Sequence, residues 1–156
     1  MGQQVEETDT VQVGKKILQG KQTQKVLAFY KPVGVTCTER DPHAEKKIMD
    51  MIRYPERLTY AGRLDKDSEG LILLTNDGDL INAMMRGANR HEKEYIVKTD
   101  REITPDFLEK MAKGIYLKDL DITTRECEIE QIGKFTFRIV LTQGVNRQIR
   151  RMCEAC

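Results

Sequence analysis

The chain has 156 residues, with 26 Lys and Arg against 25 Asp and Glu and a formal net charge of +1. That length fits one domain with one sizeable core, and the near-balanced charge excludes a polycation, so nucleic-acid binding would need local clustering of cations. The longest apolar run, residues 71–74, is far too short to span a bilayer, and the polar, acidic residues 1–10 carry no secretory signal, which together point to a soluble, cytoplasmic chain.

Residues 1–24 are polar and rich in Gln and Thr, and read as a loose leader with one short strand at 10–13. A strand is expected over 26–30, closed by a turn that Pro32 and Gly34 enforce. Apolar residues at 48, 49, 51 and 52 predict a short helix over 44–52. A strand at 58–61 leads into a densely charged loop over 62–70, bounded by Gly62 and Gly70. A strand at 71–75 follows, and Asn76, Asp77 and Gly78 open a helix to about Arg86.

The second half begins with a strand at 93–98. Thr104 and Pro105 then supply an N-cap and a first-turn proline, and Gly114 closes that helix. Segments 122–130 and 135–141 make an antiparallel pair around 131–134, and 146–156 is a helix capped by Asn146. Strands outnumber helices and join through short turns. The expected class is α+β, an antiparallel-rich mixed sheet with flanking helices.

Two segments carry more chemistry than a fold requires. In the loop 62–70, Asp65, Asp67 and Glu69 alternate with Arg63 and Lys66. A solvated charged turn is an equally good reading of that loop taken alone. Paired carboxylates for glycoside hydrolysis sit across a sugar on separate elements, which residues two apart in one turn do not. The interleaved cations argue against Mg²⁺. One catalytic acid with an Arg beside it fits better.

The last helix places Ile149, Met152, Cys153 and Cys156 on one face, an ordinary core stripe, and Arg147, Arg150 and Arg151 on the other. Cations in a first helical turn oppose the macrodipole, and guanidinium groups there make an anion site for a phosphate or a carboxylate. Tyr95, on one strand face with Lys93 and Val97, taken alone is a core tyrosine. Cys153 and Cys156 form a C-x-x-C, but Cys37, Cys127, His43 and His91 are scattered singly, so two buried thiols are expected and no metal.

Four motifs stand in order: Tyr30-Lys31-Pro32-Val33-Gly34-Val35; Gly62-Arg63-Leu64-Asp65 with Gly70-Leu71 and Thr75-Asn76-Asp77-Gly78; Lys93-Glu94-Tyr95; and Gly144-Val145-Asn146-Arg147-Gln148-Ile149-Arg150-Arg151-Met152. Together they resemble the RsuA/RluB/RluE/RluF family of RNA pseudouridine synthases, most closely its RluF branch, over residues 26–154. The resemblance implies a cofactor-free isomerisation of uridine in structured RNA, with ribosomal RNA as the substrate and a tRNA as a second one. It implies no membrane and no obligate protein partner.

By the same resemblance Asp65 is the catalytic aspartate, Tyr95 stacks on the target base, and Arg150 pairs with the aspartate and holds it ionised. Arg63 helps hold RNA around a flipped-out nucleotide, and Lys31, Lys93, Arg147 and Arg151 are further cations expected on RNA. A fragment that binds structured RNA without turnover is the alternative. Residues 1–24 are expected to hold the remnant of an S4 RNA-binding module, and 25–156 a catalytic domain truncated at its C-terminus.

Overall fold

The computed structural model describes residues 6, 9–18, 23–39, 41–86 and 90–156. Its strands are β1 (Val11–Val13), β2 (Lys16–Leu18), β3 (Val26–Lys31), β4 (Thr59–Ala61), β5 (Gly70–Thr75), β6 (Lys93–Lys98), β7 (Tyr116–Leu117), β8 (Ile122–Thr123), β9 (Glu128–Gly133) and β10 (Thr136–Leu141). The helices are α1 (Gly78–Met85), α2 (Pro105–Lys113) and α3 (Gln148–Ala155). Among these strands every ladder is antiparallel; a single bridge between Thr36 and Lys47 is parallel. The α+β expectation holds, with two three-stranded sheets, β3-β5-β4 and β6-β10-β9, and two small hairpins. No helix among the described residues is long and apolar enough to cross a membrane.

Alternation decides which side chains face inward. In β3, Leu27, Phe29 and Lys31 share the inner face, opposite Leu74, Ile72 and Gly70 of β5. Ile72 joins Val35, Cys37 and Ile48 in one core, with Phe29, Tyr60 and Leu64 packed against it. In β6, Lys93, Tyr95 and Val97 face Leu141, Ile139 and Phe137 of β10. That face builds the larger core with Ile103, Met111, Leu117 and Met152, so α2 and α3 both pack on it.

The sequence signals of α2 act as read. The Thr104 hydroxyl accepts the Phe107 amide at 3.2 Å, and Lys110 and Lys113 sit in the last turn, where the macrodipole favours cations. Gly114 ends it at φ +90°; a Cβ there would lie 2.3 Å from the Thr124 carbonyl oxygen.

Four expectations need correction. The helix over 44–52 is reduced to a 3-10 turn, Ile48–Met51, because Thr36 captures the preceding backbone: its amide donates to Lys46 O, and its carbonyl accepts from Ile48 N. The strand over 122–130 is broken, since Thr124 and Cys127 turn their amides to Ile115 O and Ala112 O at the end of α2. The short strand at 10–13 pairs with β2 as a hairpin; residues 1–5, 7, 8 and 19–22 of the expected leader lie outside the described residues. Finally, of the C-x-x-C thiols only Cys153 is half-buried, and burial pushes it up to about 11, whereas Cys156 is exposed.

Candidate active site

The charged loop joins β4 to β5 and is held from three sides. Leu64 packs into the smaller core. The Asp65 carbonyl accepts the Ser68 amide at 3.1 Å, which closes a tight turn. The Lys66 carbonyl accepts the Gly34 amide at 2.8 Å and the Lys31 Nζ at 3.4 Å. Gly70, at φ +141°, returns the chain to the ladder in a conformation that disfavours a side chain. Asp65 therefore stands between an apolar anchor and a pinned peptide, with its carboxylate about one-third exposed.

Arg150 comes to it from the first turn of α3. Its Nε lies 3.5 Å from Asp65 Oδ2, and both side chains are partly exposed, at 39% and 35%. At that exposure the pair contributes on the order of 1 kcal/mol or less to stability, so its interest lies in orienting the acid. Tyr95 approaches from β6. Burial raises its phenol above the ordinary tyrosine value, and the charge of Asp65 raises it further. A tyrosine so placed stays protonated at neutral pH and is a hydrogen-bond donor. The β4–β5 loop and α3, distant in sequence, thus meet at one carboxylate, whose charge also reaches Tyr95 on β6.

The other sequence-predicted residues divide. Arg63, two residues before Asp65, is exposed, and its charge bears on Tyr60. Lys93 is half-buried on the strand face of Tyr95. Arg147 is exposed, but it precedes α3 as its N-cap in the left-handed conformation, φ 52° and ψ 33°, so the cap is not Asn146. The three arginines do not form one cluster: Arg151 pairs with Asp119 and donates its Nε to Asn146 O at 2.9 Å. Its guanidinium is thus engaged within the protein.

Lys31 is the larger correction. It was expected on RNA, yet it has no exposed surface, and its ammonium donates to Pro32 O at 2.9 Å, Val35 O at 2.8 Å and Lys66 O at 3.4 Å. A side chain sealed beneath the loop has no face to offer a phosphate. Two residues were missed altogether. Asp119 anchors Arg151, and buried Gln148 accepts the Val145 amide at 3.2 Å, which fixes the chain as it enters α3. Neither has a distinctive sequence signal.

The chain is similar to known proteins in sequence and in fold. A family model described as RNA pseudouridylate synthase matches residues 25–155. The chain is 42% identical over 156 residues to the dual-specificity RNA pseudouridine synthase RluF of Escherichia coli (strain K12), covering 99% of this chain and 53% of that protein. It is 36% identical over 138 residues to ribosomal large subunit pseudouridine synthase B of Yersinia pestis, covering 84% of this chain and 42% of that protein. A crystal structure of pseudouridylate synthase aligns with a TM-score of 0.80 and 25% identity, over 97% of this chain and 66% of that one. The chain spans about half the length of the curated relatives it matches.

Proposed function

The chain belongs to the RNA pseudouridylate synthase family, and from that premise we propose that it isomerises a specific uridine to pseudouridine in structured RNA, with 23S ribosomal RNA as substrate and a tRNA as a second one. The names of the relatives support an RNA substrate: one is a dual-specificity RNA pseudouridine synthase, the other is named for the large ribosomal subunit. The observation that carries the reading is the contact of Asp65 with Arg150 at 3.5 Å, beside a Tyr95 that feels the charge of Asp65.

The reaction breaks the bond between the ribose and a ring nitrogen of uracil and forms one to a ring carbon, with a proton leaving that carbon and another reaching the nitrogen. Every atom is conserved, so no co-substrate is needed. Asp65, about one-third exposed, is the group that acts on the extruded nucleotide, since a stacked base hides its glycosidic bond. Arg150 orients that carboxylate. Tyr95 offers a flat ring for the base to rest on and a hydroxyl that holds its proton. Arg63 and Arg147, both exposed, supply charge for the RNA backbone.

Pseudouridine mapping on large-subunit ribosomal RNA and bulk tRNA incubated with the chain tests this. One new, stoichiometric pseudouridine is expected in an unstacked loop. RNA retained by the chain without any new pseudouridine would leave only a binding role.

A further inference from the structure

The outer face of β3 is apolar where water favours polar groups. Every residue from Val26 to Tyr30 is aliphatic or aromatic, yet of these only Leu27 and Phe29 turn inward, and Val26, Ala28 and Tyr30 are exposed. An antiparallel strand with one wet face ordinarily places polar residues on it. Tyr30 is 64% exposed, and Leu71, its cross-strand partner on β5, is 66% exposed. Side chains directly opposite in such a ladder stand about 5 Å apart. Ring and leucine therefore form one apolar platform at the end of the sheet, where the acid loop joins β5.

Glu69 stands at the rim of that platform. Desolvation raises the Tyr30 phenol above the ordinary tyrosine value, and the charge of Glu69 and the hydrogen bond it accepts from the phenol raise it further. The bond orients the ring and leaves the exposed carboxylate with free lone pairs. Glu69 follows Asp65 by four residues in the same loop, so the platform is continuous with the surface that RNA must reach on the isomerase reading. A carboxylate repels phosphate and accepts from N–H groups, so the part of an RNA that fits here is a base and not the backbone. Guanine alone presents two adjacent N–H donors on its Watson–Crick edge, whereas uracil presents one N–H between two carbonyls. A two-fold contact with a second copy of the chain would use the same patch on both sides and set like charge against like charge.

We infer that Tyr30, Leu71 and Glu69 form a second nucleobase subsite, where an unpaired guanine of the substrate RNA stacks on ring and leucine and turns its N–H edge to Glu69. The inference deepens the isomerase reading and rests on it for the identity of the partner. Stacking and base preference are both read without turnover.

Two short single-stranded RNA oligomers test it on the full chain, one all uridine and one with a single central guanosine. In nitrogen-15 NMR titrations the Tyr30 and Leu71 amides should shift with the guanosine oligomer, at an affinity about fivefold or more above the all-uridine one, the lower end for one bidentate base contact. Tyr30→Ala should weaken that binding by about 5- to 100-fold, the range for one base–aromatic stack, and Tyr30→Phe should recover most of it. Glu69→Gln should remove most of the preference for guanosine. No shift at these amides, or equal affinity for both oligomers, would overturn the inference. Parental affinity in a folded Tyr30→Ala, or an unchanged preference in Glu69→Gln, would overturn it too. So would self-association that Tyr30→Ala abolishes while RNA binding stays parental, which assigns the face to a second copy. If a variant fails to fold, the titrations of the parent chain decide alone. Guanosine-selective binding by a parent that forms no pseudouridine would leave the subsite intact and reject the isomerase reading alone.

Discussion

The guanidinium of Arg150 meets the carboxylate of Asp65 at 3.5 Å, and that contact joins the β4–β5 loop to the first turn of α3. It gives a cation in an unfavourable position on the macrodipole a reason to be there. Arg150→Ala should therefore lower kcat by about 100-fold, the scale for losing the orientation of a reacting group, and leave RNA affinity nearly unchanged. Arg150→Lys, which keeps charge but loses the planar guanidinium, should recover only part of that rate. Single-turnover kinetics beside a binding titration separates the two effects.

Arg147 and Arg151 should part company. Arg147 is exposed and left-handed, a conformation that costs a non-glycine residue about 1 kcal/mol. Arg147→Gly should raise stability by up to about that amount while reducing the salt slope of RNA binding by about one unit, if one phosphate contact is lost. Arg151→Ala, which breaks the tie to Asp119 and Asn146, should lower the melting temperature and leave the salt slope alone.

Tyr95 makes a pH prediction. Its folded value is raised, first by burial and then by Asp65, so the folded state holds the phenolic proton more tightly than the unfolded chain. The associated stability is fully present below the unfolded value of about 10 and is lost as pH rises through the folded value. Tyr95→Phe should thus lose less stability than the parent between neutral pH and the alkaline range. Thermal melts across that range would show parallel curves if the phenol were not perturbed.

Gly114→Ala tests the scaffold. The added methyl group would meet the Thr124 carbonyl at 2.3 Å, at a φ of +90°. Backbone, not a flexible side-chain end, would have to move, so destabilisation of about 2 kcal/mol or more is expected. A denaturant titration reads it directly.

How far the fold was legible follows from the range of the interactions involved. β6 alternates cleanly, and α2 has both its cap and its stop written locally. The losses lie where one segment borrows another's hydrogen bonds, as Thr36 does from residues 46–48 and α2 does from Cys127. β2, β7 and β8, at three residues or fewer, are too short to carry a period. Within the site, the acid loop and the arginine helix stood out by charge, but their meeting is a tertiary fact. Lys31 follows its phase along β3 and not the usual behaviour of its side chain. Its phase with Leu27 and Phe29 put it on the core face, and that pattern outweighs the usual exposure of lysine.

Asp65 is the residue on which isomerisation depends, and the sharpest measurement compares the parent chain with Asp65→Asn by quantitative pseudouridine mapping on the same RNA. The substitution keeps shape and removes the carboxylate that faces Arg150. The expected result is a parent that converts its uridine and a variant with no detectable product, both binding RNA with similar affinity. Turnover in the variant comparable to that of an active parent would contradict the assignment of Asp65 as the catalytic acid.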